Sequence, residues 1–401
     1  MPEGEQLGKA EVGDALTLIR PRRVGRLHCE SQYRARPRMR PLKLYSSKAW
    51  LGPGREGAHV TALAPFWGRP TVSTAGWPHY ADTLIARAHE FLELTELADA
   101  DVAVFPLIGR LLLRDPGGVE RVRDFAGAGR AAGKPTAVFF DHADTHGHIH
   151  APFPVRDALL FRGSLFRNSR RKVEFALPGF HDDLLSTTGG TLPIRPKSEP
   201  VISFCGSVIS EHAPPKGARE HARKVLGDTR RFMWRMQGRH EEDLFVRARA
   251  VRALLAQKDV RTSILVRESG GGGTWTSFDQ ERWNIARREF VDNLIDSDYV
   301  LCARGDGNWS IRFYEAMCLG RIPIVVDTDL VMPYDFVVPW REYGVWVGRS
   351  EVGELSNKVA AFHERLSDGE YRDLQRECRR VWEQYLSPLG FFRNLHRHFE
   401  R

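Results

Sequence analysis

The sequence predicts an α/β fold in which two doubly wound domains, each built on a parallel sheet, face one another across a cleft. Three observations support this fold class. Runs rich in valine and phenylalanine, such as KPTAVFFD and RIPIVVD, alternate with stretches of helical spacing, and continuous apolar runs are typical of parallel strands. The alternation stops once, at residues 191–200, which contain three prolines and no periodicity, and then restarts. A length of 401 residues allows two separate hydrophobic cores.

Composition and charge are those of a globular protein and do not identify its partners. The chain carries 59 lysines and arginines, of which only ten are lysine, and a formal net charge of +8. Arginine suits phosphate and carboxylate ligands because its planar guanidinium binds two oxygens at once, although a GC-rich genome also favours arginine over lysine. Five scattered cysteines form no CxxC pair, which suits a reducing compartment. With no signal-peptide pattern and no apolar run of about 18 residues, the protein is expected to be cytoplasmic, without a transmembrane segment.

The first part of the chain divides into an arm and a domain. Residues 1–40 are polar and rich in arginine, and we expect a poorly ordered basic arm. Residues 41–190 are predicted to form the N-terminal α/β domain. Its predicted elements are the strand LKLYS, a helix over Asp82–Ala98, the strand DVAVFPLIG, a helix over Gly118–Ala132, and the strands KPTAVFFD, ALLFRGS and RKVEFALPG.

Residues 191–200 are the predicted linker, and residues 201–385 the second α/β domain. The elements predicted there are the strand VISFCGS, a helix over 216–226, the strand RRFMWRM, a helix over 240–257, the strand RTSILVRE, a helix over 279–295, a strand–turn–helix–strand unit over 298–327, the strand VWVG, and two helices that begin near Glu351 and Asp368. Residues 386–401 are predicted as a C-terminal helix that, by fold analogy, crosses back to the first domain.

The unit over residues 298–327, DYVLC-ARGDGNWS-IRFYEAMCLG-RIPIVVD, is the main candidate site. A helix N-terminus presents unpaired N–H groups, and the glycines of the preceding turn let its backbone approach a phosphate. Arg304 at the end of the strand and Arg312 in the first helical turn would add charge-assisted hydrogen bonds to a diphosphate, while Glu315 would accept the hydroxyls of a ribose. Ser310 is placed to cap the helix. On spacing alone, an ordinary turn and an Arg312–Glu315 ion pair on the helix surface explain the same residues equally well.

A second candidate lies in the first domain, where the strand KPTAVFFD runs into DHADTHGHIH at residues 141–150. Histidine and aspartate are ligands of zinc, iron and manganese, but here they are consecutive on one loop and do not form a HExxH-type helical pair. The same residues suit a general base that deprotonates an attacking hydroxyl. A non-catalytic polar loop is the third alternative. The nominated catalytic residues are Asp141, His142 and Asp144, and no metal site is predicted.

The 298–327 stretch resembles the signature of the exostosin-type glycosyltransferases. The family pattern is a strand and turn S-x-(F/Y)-x-L-C-x-x-G-D, a helix S-x-R-x-(F/Y)-E-A, and then G-x-I-P, and FCGS at 204–207 is similar to the family's first strand and loop in this domain. The resemblance implies a GT-B architecture of two Rossmann-like domains, with the donor bound by the second and the acceptor by the first. It also implies inverting transfer from a sugar nucleotide, usually a UDP-sugar. The donor contacts that it implies here are Gly206, Arg304, Gly305, Asp306, Gly307, Ser310, Arg312 and Glu315.

The leading hypothesis is therefore an inverting glycosyltransferase that moves a sugar from a nucleotide-sugar to a glycan or a small hydroxylated acceptor. It is expected to need no metal or other cofactor and no nucleic-acid partner. One alternative is a metal-dependent hydrolase centred on residues 141–150. Another is a non-catalytic binder of acidic polymers that uses the basic arm and the net positive charge.

Overall fold

The computed structural model describes residues 40–71, 80–112, 115–140, 155–156, 158–208, 242–257, 260–267, 280–305 and 307–400. These residues belong to one compact unit and contain two sheets of parallel strands with helices packed on them. This arrangement confirms the predicted α/β fold class and is consistent with a GT-B architecture. No helix in these ranges has both the length and the apolar character needed to cross a membrane.

The first sheet has six strands, and all of its pairings are parallel. In spatial order the strands are β2 (Leu92–Leu94), β1 (Leu42–Tyr45), β3 (Val102–Val104), β4 (Thr136–Phe140), β5 (Leu159–Arg162) and β6 (Glu174–Ala176). The α-helices of this part are α1 (Ala64–Trp67), α2 (Tyr80–Arg87), α3 (Gly109–Leu112) and α4 (Gly118–Ala131). Every residue of β3 and β4 is buried, as expected for central strands covered on both faces.

The predicted helix over Asp82–Ala98 is wrong in its second half. Helix α2 ends at Arg87, a 3-10 turn follows, and the chain then forms the edge strand β2. Leu92 and Leu94 pair in parallel register with Leu42 and Leu44 of β1. A run this short fits helical and extended periodicities alike, so the hydrogen bonds available along the edge of β1 decide the outcome.

The second sheet has five parallel strands. In spatial order they are β11 (Val345–Gly348), β10 (Ile322–Asp327), β9 (Tyr299–Cys302), β7 (Val201–Ser207) and β8 (Arg261–Arg267). The helices of this half are α5 (Glu242–Ala256), α6 (Gln280–Ile295), α7 (Ile311–Cys318), α8 (Leu355–Glu364) and α9 (Asp368–Val381). The predicted helix over 216–226 and the predicted strand RRFMWRM lie outside the described residues.

The segment between the sheets is bound along its length to the second half of the chain. The backbone of Arg195 exchanges two hydrogen bonds with the side chain of Gln375 on α9, both 2.9 Å long. Its guanidinium bonds to Asp298 at 2.8 Å. The carbonyl of Ser198 accepts a hydrogen bond from His363 on α8. Residues 191–200, although rich in proline, therefore form an ordered strap. It is bound to helices α8 and α9 and to Asp298, which precedes β9.

After α9 the chain continues through a π-helical turn over Trp382–Leu386 and helix α10 (Pro388–Arg393) back to the first sheet. The ring of Phe391 packs on Phe161 of β5, and that of Phe392 packs on Phe139 of β4. One continuous hydrophobic core therefore includes residues of both sheets together with these rings.

Candidate functional site

The candidate site lies at the carboxyl ends of β7 and β9. The chain proceeds from β7 to β8 on one side and then to β9 on the other, so the strand order reverses between β7 and β9. Ligands of open α/β sheets bind at such a switch point, outside the carboxyl ends of the strands. Gly206 lies near the end of β7, Arg304 follows β9, and α7 brings Arg312 and Glu315 to the same edge.

Arg312 is bound to the end of β7. Its Nε donates a 2.6 Å hydrogen bond to the carbonyl of Cys205, and its guanidinium lies 4.7 Å from the ring centre of Phe204. A Cβ atom placed on Gly206 would lie only 1.6 Å from the Arg312 Nη2 atom, and Gly206 has a φ of 154°. Only glycine permits this approach of the arginine to the strand. Burial lowers the pKa of Arg312, but arginine stays protonated throughout the physiological range.

A second arginine, Arg247 of α5, was not identified from the sequence. It donates to the carbonyl of Ser207 at 3.2 Å and to that of Ala303 at 3.1 Å, and so connects the ends of β7 and β9. It also lies 2.9 Å from the position of a Cβ on Gly305, which explains the glycine there. This helix carries three arginines among apolar residues, Arg247, Arg249 and Arg252. Their spacing in the sequence does not indicate which of them reaches the ends of the strands.

Arg304 is buried, with 7% of its surface exposed, and its guanidinium lies 5.5 Å from the ring centre of Phe166 in the first half of the chain. Arg247, Arg304 and Arg312 thus lie at the ends of two adjacent strands. This edge of the sheet can therefore stabilise an anion such as a diphosphate.

The hypothesis of an ordinary Arg312–Glu315 ion pair on the helix surface is wrong. Glu315 is only 2% exposed and accepts a 2.7 Å hydrogen bond from Nη1 of Arg287 on α6. A carboxylate at this depth needs such a partner, because an unpaired buried charge is costly. The role of Glu315 toward a ribose stays a prediction.

His181 is a buried neighbour of Glu315 that sequence reasoning also missed. Its Nδ1 lies 2.7 Å from the carbonyl of Asp182, and its Nε2 lies 3.3 Å from the indole N–H of Trp382. An imidazole with the proton on Nδ1 satisfies both contacts, because Nε2 then accepts from the indole. Burial lowers the pKa of His181, while the nearby Glu315 carboxylate acts in the opposite direction.

The turn between β9 and α7, residues 304–310, is called the donor turn here. The amide of Gly305 donates to the carbonyl of Trp309 at 3.3 Å, and the amide of Asn308 donates to Ser164 Oγ at 2.8 Å. These two amides are therefore satisfied within the protein, as buried amides generally are, and the predicted contact of this backbone with a diphosphate stays a prediction. A Cβ on Gly307 would lie 2.7 Å from the Trp309 ring, and Asp306 lies outside the described residues.

Ser310 occupies the N-cap position of α7 in extended conformation, but the predicted side-chain cap is absent from the described residues. The amide of Phe313, which a capping hydroxyl would use, instead donates to the carbonyl of Ser310 at 3.1 Å. The Ser310 side chain, 7% exposed, lines a small pocket together with Arg304 and Thr328.

The predicted catalytic residues Asp141, His142 and Asp144 lie outside the described residues. The description stops at Phe140, the last residue of β4, and resumes at residue 155. No group of three histidine, cysteine, aspartate or glutamate side chains in the described ranges is placed to bind a metal. The nominated loop at 141–150 is not part of those ranges. The assignments of base, acceptor contact or metal ligand to that loop therefore stay predictions.

Residues 219–362 match the family model described as the exostosin GT47 domain. A probable β-1,4-xylosyltransferase, IRX10 of Arabidopsis thaliana, is 40% identical over 66 residues, which is 16% of each chain. A probable glucuronosyltransferase of Oryza sativa subsp. japonica is 34% identical over 68 residues, 17% of this chain and 16% of that protein. A probable glucuronoxylan glucuronosyltransferase of Arabidopsis thaliana is 26% identical over 152 residues, 37% of this chain and 30% of that protein.

These matches confirm the resemblance predicted from the 298–327 signature, which lies within the matched residues 219–362. The matched segments span 16% to 30% of the length of these three relatives.

Proposed function

We propose that the protein is an inverting glycosyltransferase that moves a sugar from a nucleotide-sugar, in the first instance a UDP-sugar, to a glycan or another hydroxyl acceptor. The observation that carries the proposal is the contact between Arg312, which lies within the stretch matched by the exostosin GT47 model, and the end of β7 at Gly206. It fixes a cation at the switch point of the sheet, where the diphosphate of a sugar nucleotide would bind. The relatives named as xylosyl- and glucuronosyltransferases support the same reaction class.

In this proposal the arginines stabilise the leaving diphosphate. Breaking the bond between the anomeric carbon and the diphosphate places negative charge on the departing oxygens, and preorganised donors at that position lower the barrier. Arg312 and Arg304 supply those donors, and Arg247 holds the two strand ends in register. No metal ion is assigned to this role. Glu315, oriented by Arg287, would accept the ribose hydroxyls.

For the acceptor side, the proposal depends on the loop after β4. The acceptor hydroxyl must lose its proton as it attacks the anomeric carbon, and a histidine or carboxylate near neutrality can accept that proton. Asp141, His142 and Asp144 follow the buried central strand β4 and are the proposed candidates. The resemblance implies that the acceptor binds to the first domain, so we propose that the base belongs to this domain.

A cytoplasmic location is part of the proposal. Cys205, Cys302, Cys318 and Cys378 are buried free thiols, which suit a reducing compartment.

The test combines measurements of ligand binding with substitution of Arg312 and Glu315. Thermal shifts are measured with UDP, GDP, TDP and their sugars, and a ligand at 100 times its Kd should stabilise the protein by about 2.7 kcal/mol. Arg312→Ala and Glu315→Ala should each lower donor hydrolysis or transfer by about 100-fold, as loss of one preorganised transition-state contact does. Arg376→Ala is the matched control, since it removes an exposed arginine of α9 that pairs with Asp373.

Full activity in both Arg312→Ala and Glu315→Ala would refute the donor-site assignment. The hydrolase alternative predicts stoichiometric zinc or manganese and an activity that is lost on chelation. The polymer-binding alternative predicts steeply salt-dependent binding that deletion of residues 1–40 removes.

A further inference from the structure

The donor turn is held in place from the first domain. Asn308, in the middle of this turn, is 1% exposed, and three of its polar groups are bonded. Its amide donates to Ser164 Oγ at 2.8 Å, and its Nδ2 donates to the carbonyl of Leu165 at 2.9 Å. Its Oδ1 accepts a 2.6 Å hydrogen bond from Thr328 Oγ1, on the loop after β10. Two of the three partners therefore come from the segment that follows β5 of the first sheet.

That segment runs beside the loop after β10. Phe166 and Leu330 form an antiparallel bridge, and the amide of Arg167 donates to the carbonyl of Asp329 at 2.8 Å. The amide of Asn168 donates to the Asp329 carboxylate at 2.9 Å. We call these paired segments, 164–168 and 327–330, the clasp. Asp329 has a φ of 64°, a left-handed conformation that non-glycine residues rarely adopt.

The inner and outer parts of the clasp differ in exposure. Ser164 and Asn308 are buried, whereas the Arg167 side chain, which pairs with Asp327 and Asp329, is 51% exposed. Exposed ion pairs contribute little because water competes for both charges. Loss of a buried partner is costly, because it leaves a desolvated donor or acceptor unsatisfied. The shape of the donor turn therefore depends on the inner contacts.

We propose that Ser164 and Asn308 are positioning residues for donor transfer, which hold the donor turn in its ligand-binding shape through the first domain. The inference rests on the proposed function. The turn begins with Arg304 and ends at Ser310, just before Arg312, so its shape sets the separation of the two cationic groups. Neither Ser164 nor Asn308 needs to touch the donor. Their contacts make the geometry of the donor site depend on the docking of the first domain.

The test measures the Kd of UDP together with the KM values of donor and acceptor. Ser164→Ala removes a single oxygen and should weaken UDP binding by about tenfold, with a matching rise in the donor KM and an unchanged acceptor KM. Ser164→Thr, which keeps a hydroxyl, should restore most of the affinity. Asn308→Ala should act in the same direction and more strongly. Arg167→Ala, on the exposed side of the clasp, is the matched control and should change the UDP Kd by less than about twofold.

The inference would be overturned by a Ser164→Ala protein that binds UDP, per folded molecule, within about twofold of the wild-type affinity. This holds whether or not the melting temperature of the variant falls. If Asn308→Ala does not fold, Ser164→Ala still decides. If the wild type binds none of UDP, GDP and TDP, the proposed function fails. If the wild type binds UDP and the Ser164→Ala and Asn308→Ala proteins bind it equally well, only the positioning role is refuted.

Discussion

Buried polar groups have different roles at the two ends of the strands of the second sheet, which we call the amino edge and the carboxyl edge. At the amino edge, Asp298 is 2% exposed and accepts hydrogen bonds from Arg195 Nε, from the amide of Val201 and from the hydroxyl of Tyr371. At the carboxyl edge, Arg312 and Arg247 donate to the carbonyls that end the strands. The first arrangement matches a buried anion with protein donors, and it fastens the strap at residues 191–200. The second places cations beside a switch point, where a ligand anion can bind. Substitutions at the two edges should therefore have separable effects.

The largest effect is expected at the amino edge. Asp298→Ala leaves Arg195, the Val201 amide and the Tyr371 hydroxyl without their common acceptor, and should lower the free energy of unfolding by about 3–5 kcal/mol. Urea denaturation at constant pH measures the change. The fraction of Asp298→Ala that stays folded should bind UDP with the wild-type Kd. A change in Kd at full folding would show that the two edges are coupled.

The next effect belongs to the carboxyl edge alone. Gly206→Ala places a Cβ atom 1.6 Å from Nη2 of Arg312, so the guanidinium must move away from the strand. We expect UDP binding to weaken by at least about tenfold, or about 1.4 kcal/mol, in a calorimetric titration. Gly127→Ala is the matched control, since a Cβ there meets open space on helix α4. Equal UDP affinities of the two variants would contradict the assigned role of Gly206.

The smallest effect is the response of stability to pH. Burial lowers the pKa of His181, near the carboxyl edge, and of His363, which contacts Tyr299 and Ser198 at the amino edge. The unfolded chain therefore binds protons at a higher pH than the folded chain does. The free energy of unfolding should be constant above about pH 7 and should decrease as pH falls below about 6.5, by at most about 1.4 kcal/mol per histidine and pH unit.

Denaturation at a series of pH values tests this, with His363→Gln and His181→Gln to divide the slope between the edges. A slope that survives both substitutions would assign the pH dependence to other groups, among which His59 is also buried and has a lowered pKa.

Most strands and helices could be predicted because their signals are local. The runs at β4 and β10 are apolar on both faces, and the 298–327 unit contains its own glycine turn. The strand β2 could not be predicted, because what makes Leu92–Leu94 extended is pairing with β1, far away in sequence. The same limit applies to the site. Arg287 lies 28 residues from Glu315, and Ser164 lies 144 residues from Asn308, so no spacing rule relates them. Arginine and glutamate were recognised by residue type, but their partners required the fold.

The return of α10 to the first sheet also has a consequence for synthesis. Phe391 and Phe392 pack on Phe161 and Phe139, so the packing on the first sheet cannot be completed until residues of α10 have left the ribosome. At about 5–20 residues per second, roughly 10–50 s separate the emergence of β5 from that of α10. During that interval the aromatic face of β4 and β5 lacks its cover. The nascent chain should therefore be most dependent on chaperones while the residues between β5 and α10 are being translated.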